Sequence, residues 1–248
     1  MDLPAPDEPI AATCDVALLC DLPDHRPESC DVVLTSHISL WRALVDTVSR
    51  DAETYDESRA PFLLAEALRR SNAQLRDEPV RNLFERTLRE RIAPAIIARQ
   101  TARALLESGF SVHAYGAGWD IEPVDRVIVK GLIPDGPELR RAVLGARLVA
   151  VPWSTGEGAR RCLVSLACGV PAALRLASIP FERDYPDLVP LRAHLHVYRS
   201  PRDLVEIARH MKQWRQGPLL EASSAVRRGH TMAERLAALE RALTFSQS

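Results

Sequence analysis

From Phe110 onward, apolar positions alternate between short strand-like runs and stretches with helical spacing. Strands are predicted at Phe110–Tyr115, Val127–Lys130, Leu148–Trp153, Ala172–Leu176 and His196–Tyr198. Helices are predicted between and after them, at Pro137–Leu144, Arg160–Cys168 and Pro201–Trp214. The helix signals are a Pro at the first position and a Gly just beyond the last, as at Gly145 and Gly169. Strands alternating with helices imply an α/β fold with a doubly wound, Rossmann-like parallel sheet, whose ligand crevice lies at the carboxyl ends of the strands.

The first half reads differently. Residues 1–9 are acidic and Pro-rich and predict a disordered leader. Ile10–Cys20 reads as a buried strand, Asp31–Ser36 as a second strand, and Ile38–Ser49 as a helix. Pro61–Arg76 and the run from Val80 to Ile92 have helical spacing. Pro94 predicts a kink or restart before a helix over Ala95–Ser108. The expected organisation is an abbreviated N-terminal α/β lobe (1–60), a helical connection (61–108), a Rossmann-like domain (109–230), and a C-terminal crossover helix and tail (231–248). Within these last parts, helices are expected at Leu219–Arg228 and Thr231–Thr244.

Composition narrows the function classes. A net charge of −1 gives no electrostatic case for nucleic acid as the main partner. Five cysteines without a C-x-x-C pair fit a reduced, cytoplasmic protein without a zinc site. No apolar run approaches the ~20 residues of a membrane span.

The candidate chemistry lies after the strand at 148–153. Ser154, Thr155, Gly156, Glu157 and Gly158 read as a loop nearly bare of side chains that opens a helix. A helix N-terminus presents unpaired N–H groups to an anion, and glycine lets a phosphate approach the backbone. Arg160 and Arg161, expected in the first turn, would add charge-assisted bonds, or Arg161 would instead form a structural salt bridge. Lys130, at a strand end, is a second cation for a departing diphosphate, or a surface lysine. Gly116-Ala117-Gly118 is either a tight strand-end turn or a ligand-facing loop. Trp119 either stacks on a base or fills the space between sheet and helix. His37, after an apolar run, is the candidate general base on the acceptor side, or a capping residue. His194 and His196 share a strand side, but no third metal ligand accompanies them.

The pattern Gly158-x-x-Arg161-x-Leu-Val-x-x-Ala167-x-Gly169 resembles the "GxxRxFExxAxG" signature of CgeB-like glycosyltransferases. Weaker similarities keep the same order: Val112 to Trp119 resembles "vxGxGW", Val129-Lys130-Gly131 the next strand and turn, and Gly229-His230-Thr231-Met232-x-x-Arg235 the closing "GHTyxxR". Glu138-Leu139 with Ala146 to Pro152 resembles the helix and strand between them, and together the similarities span about residues 80–245. The resemblance implies the C-terminal, donor-binding domain of a two-Rossmann-domain enzyme that uses nucleotide sugars, with Arg161 as a donor contact. Where that family has a Glu for the ribose hydroxyls, this chain has Val164; Glu157 lies one position from the group's other acidic site.

The resulting expectation is a metal-independent glycosyltransferase. It would use a nucleotide sugar as donor substrate and no other cofactor, and pass the sugar to an acceptor hydroxyl. The short front lobe would be abbreviated, completed by a second chain, or absent from this sequence. The alternative is a catalytically silent relative that serves as a binding or assembly module, favoured by Val164 and the short front half.

Overall fold

The strand predicted near the N-terminus lies at the centre of the sheet. The computed structural model describes residues 12–29, 37–133, 136–153, 156–176, 181, 185–211 and 223–226. In it, β1 (Cys14–Leu19) pairs with β2 (Val112–Tyr115) on one side and β4 (Ala146–Val151) on the other. The edge β3 (Ile128–Val129) adds to β2, while β5 (Ala172–Arg175) and β6 (Leu195–Tyr198) continue beyond β4. The six strands are all parallel, in the order β3-β2-β1-β4-β5-β6. The central strands are nearly continuous apolar runs because helices cover them on both faces.

Alternate residues of the strands feed two cores. Val16 and Leu18 pack with Val112, Ala114, Leu148 and Ala150 beneath α4 (Ala93–Glu107) and the last described long helix, α7 (Pro201–Met211). On the opposite face, Ala17, Leu19 and Val149 pack under α5 (Gly136–Leu144) and α6 (Gly156–Ala167). This is the expected doubly wound α/β arrangement. The strand expected in the N-terminal lobe pairs with strands on either side from beyond residue 110. That strand completes the one sheet, its two edges paired by β2 and β4 and its two apolar faces covered by helices.

A helical unit separates β1 from β2 in sequence. Helices α1 (Ile38–Asp51), α2 (Ala60–Ser71) and α3 (Glu78–Thr87) share a core of Leu40, Trp41, Leu44, Leu64, Phe84 and Leu88, which extends to Ile97 of α4 and to Trp153 after β4. Helix α2 stops short of the predicted Arg76 because Asn72 adopts a left-handed conformation, φ 51°, and ends it. Pro94 does not break the chain's helical path. A widened turn, Leu88–Ile92, precedes it, in which Ala93 N–H reaches the carbonyl of Leu88. Such a turn accommodates the missing donor and bulky ring of a proline. The expected leader, the strand at 31–36, the helix at 231–244 and the GHT segment fall outside the described residues. Of the helix expected at 219–228, residues 223–226 are described and are helical.

Candidate functional site

Successive connections in this sheet leave on opposite faces at β1 and β4, so the mouth between their carboxyl ends is the topological crevice. The chain leaving β1 runs along that mouth as Cys20, Asp21 and Leu22. It remains pinned to the β2 turn, with Cys20 N–H donating to Tyr115 O at 3.1 Å and Leu22 N–H to Ala117 O at 2.9 Å. Asp21 accepts from Ala117 N–H at 2.8 Å.

Arg161 reaches this mouth from α6. Its guanidinium donates to the Leu19 carbonyl at 3.0 Å and to the Asp21 carboxylate at 2.9 Å. The side chain is only 12% exposed, whereas that of Asp21 is 53% exposed, so the arginine is the fixed member and the carboxylate the solvated one. A sequence-expected residue is thus at the crevice, already engaged by the chain's own acid.

Several neighbouring expectations are corrected. Helix α6 begins at Gly156, so Gly156, Glu157 and Gly158 are its first residues and not a loop. Arg160 and Arg161 therefore lie in the second turn. Gly158 is buried, and a residue without a side chain allows the helix to sit close at that point. Arg160 is exposed on the helix surface. Ser154 and Thr155 lie outside the described residues.

Trp119 is 1% exposed, and its indole N–H donates to the Cys20 carbonyl at 2.9 Å, so the ring fills the core and presents no face to a base. Gly116, φ +131°, and Gly118, φ +79°, admit protein backbone instead of phosphate. A Cβ on the first would lie 2.0 Å from Cys20 O, and on the second 2.1 Å from Leu22 O. Lys130 follows the edge strand, two strands from the crevice, and is exposed. Its charge acts on His113 and on Cys14 at the start of β1, back along the sheet. His37 precedes α1, is half-buried and meets Phe84 of α3 edge-on at 5.3 Å. Val164 is 8% exposed and packs in the core with Leu19 and Val149, so its side chain points inward.

Two further arginines sit at the same end of the sheet. Arg99 of α4, 2% exposed, donates to the carbonyls of Ala95, Gly118 and Glu122 at 3.1, 2.8 and 2.9 Å. Arg175, the last residue of β5, is fully buried and donates to the Tyr55 carbonyl at 2.7 Å. Burial pulls both guanidinium groups below their ordinary pKa. Both are held on main-chain carbonyls, which satisfy N–H groups without cancelling charge. His25, 4% exposed, stands 3.3 Å from the Glu122 carboxylate, while its own carbonyl accepts from the Trp41 indole of the helical unit. Burial lowers its pKa, and Glu122 works in the opposite direction. Beside it, the hydrogen bond from Arg26 holds Asp24 far below the usual carboxylate range.

The sequence reading missed Asp21, His25, Arg99 and Arg175. Two of these carry a visible signal: Arg175 interrupts the apolar run Ala172–Leu176, and Arg99 falls on the apolar face of α4. A charged residue at a core position is rare unless paired or functional. Asp21 and His25 carry no such signal, since acids and histidines are ordinary in a post-strand loop.

Among the described residues, no group of three or more His, Cys, Asp or Glu is placed to hold a metal ion, and no helix is long and apolar enough to cross a membrane. Comparison of the chain with family models, with curated proteins and with solved structures finds no match.

Proposed function

We propose that the chain binds a nucleoside-diphosphate sugar at the carboxyl end of its sheet and transfers the sugar to an acceptor hydroxyl. The observation that carries this reading is the placement of Arg161 at the β1–β4 mouth, with its guanidinium ordered by Leu19 O and Asp21. Arg99 and Arg175, buried at the same edge, add positive potential to a low-dielectric interior, which favours a polyanionic ligand. In the transfer, the bond between the anomeric carbon and the diphosphate oxygen breaks, and a bond to the acceptor oxygen forms. The diphosphate leaves with both electrons and the acceptor proton goes to a base. Charge grows on the leaving oxygen, and a preorganised guanidinium there lowers the barrier. His25, beside Glu122 with burial favouring its neutral form, is the described histidine at this edge for the role of base.

A second reading is favoured by a specific observation. Asp21 already occupies Arg161, and Val164 stands in the core in place of a ribose-binding acid. A chain with these features serves equally as a catalytically silent module that binds or assembles without turnover.

Thermal unfolding with UDP, GDP and their sugars separates the readings, because a ligand that binds the native state raises the midpoint. A saturable rise that is lost in Arg161→Ala supports a donor site, and release of free sugar from the donor supports the enzyme. A rise without turnover supports a silent relative that keeps its ligand. No rise with any of them in folded protein removes the donor reading.

A further inference from the structure

We propose that Arg175, with the hydroxyls of Tyr55 and Tyr198, forms an interior oxyanion site at the carboxyl ends of β5 and β6, taking phosphate or carboxylate oxygens. Arg175 has no exposed surface, yet its Nε and Nη1 have no hydrogen-bond partner. The Tyr55 and Tyr198 hydroxyls are likewise buried and unpartnered. Arg175 and Tyr198 are register partners on adjacent parallel strands, so their side chains leave the sheet on the same face. Both phenols lie close enough to act on the guanidinium electrostatically. Its planar group stands 6.0 Å from the Tyr55 ring centroid and 5.5 Å from that of Trp153.

The unsatisfied atoms are all donors, or hydroxyls able to donate, gathered around a positive charge. That chemistry excludes a cation and is incompletely met by water, which satisfies donors without balancing charge. Asp56 and Glu57 attract the guanidinium at longer range, and neither is hydrogen-bonded to its unpartnered nitrogens. A buried arginine whose nearest acids act only at longer range is costly, and each unmet buried donor adds to the cost. An oxyanion that accepts from the guanidinium and the phenols removes both penalties together. The aromatic walls exclude water and strengthen each contact. Because the arginine is sealed, the anion enters only as the wall formed by Tyr55 and Trp153 opens, and uptake is slow. The site does not depend on the donor reading, which rests on Arg161.

The test is thermal unfolding of the full chain in inorganic phosphate, acetate and chloride at matched ionic strength. The expected result is a saturable rise in phosphate or acetate above the chloride control, in the wild type and in Arg161→Ala. Arg175→Met abolishes that rise, and Tyr198→Phe, which removes a hydroxyl and almost no volume, moves the half-saturating concentration about 5-fold higher. Phosphate acting where acetate does not assigns the site to phosphoryl groups, and the reverse assigns it to carboxylates. The proposal is overturned by a response no larger than that in chloride, by an equal response in Arg175→Met, or by a response lost in Arg161→Ala but kept in Arg175→Met. Should Arg175→Met fail to fold, an unchanged half-saturating concentration in Tyr198→Phe overturns it alone.

Discussion

The guanidinium of Arg161 and the carboxylate of Asp21 meet at 2.9 Å across the mouth between β1 and β4, joining two elements 140 residues apart in sequence. The pair is unequal, with a mostly buried cation and a mostly solvated anion. A ligand phosphate arriving at Arg161 therefore competes with Asp21. Asp21→Asn keeps an oxygen for the Ala117 N–H and removes the competing charge. The expected outcome is nucleoside-diphosphate binding tightened by about 5-fold, for a loss of stability below about 1 kcal/mol, as is usual for half-exposed pairs. Titration calorimetry and urea unfolding check the two parts. Weaker binding in Asp21→Asn would make Asp21 a ligand contact instead of a competitor.

The turn after β2 is expected to respond as structure and not as ligand site. Alanine at Gly116 or Gly118 forces a Cβ to within 2.0 or 2.1 Å of backbone oxygens and into a conformation that side chains avoid. Each substitution should cost roughly 2–4 kcal/mol by urea unfolding, in the range of strained or overpacked sites. Folded Gly118→Ala protein with unchanged stability and lost nucleotide binding would reinstate the turn as a ligand loop.

Trp119→Phe tests the same reassignment from the side chain. It removes the indole N–H and leaves Cys20 O without that donor, at a cost of about 1–3 kcal/mol. Nucleotide affinity should be unchanged, since the buried ring has no face to offer. A selective loss of affinity for one base would contradict the buried position.

Acidification should destabilise the chain through its buried and half-buried histidines. Burial is the main cause lowering the pKa of His25, His113 and His196, with Lys130 assisting at His113 and Arg192 and His210 at His196; Glu122 opposes it at His25. Below about pH 6.5 the unfolded chain therefore binds protons that the folded chain refuses, and stability falls as pH falls. The thermal midpoint should drop between pH 7 and pH 5.5, and His113→Gln should flatten the slope. A midpoint that rises on acidification over that window would reverse the assignment.

The described core thiols should be inert. Burial pushes Cys14 up to about 11 and Cys162 up to about 12, and raises Cys20 further. Thiolate, not thiol, reacts, so these positions stay unmodified by a thiol reagent in the native protein and react in urea. Peptide mass mapping after labelling checks each position separately. Rapid native labelling of Cys20 would place it at an accessible crevice.

The fold was legible because the strands are apolar runs of the right length, punctuated by glycines and prolines. The signal for β1 was equally clear, but its partners were not. Pairing between residue 16 and residues 112 and 148 is a property of the whole sheet, and no local pattern encodes it. Arg161, read in the helix after β4, lies at the β1–β4 mouth. The roles of Gly116, Gly118 and Trp119 were not legible, because a glycine that admits a phosphate and one that admits a carbonyl look the same in a sequence. Arg160 and Arg161 were read one helical turn too early, since Gly-Glu-Gly reads as loop until the helix after it is seen to begin at Gly156.

The central position of β1 has a consequence for how the chain is made. Its first neighbour in the sheet is 96 residues downstream and its second lies beyond that. At roughly 5–20 residues per second, a ribosome needs about 5–20 s to deliver β2 after β1 has emerged. Throughout that interval an apolar strand has both hydrogen-bonding edges unmatched, while the helical unit behind it can already condense. High contact order slows such pairing further. Chaperone demand during synthesis is therefore set by β1 while it waits for its partners, and a polar substitution on β1 that eased this exposure would be paid back as a flaw in the finished sheet.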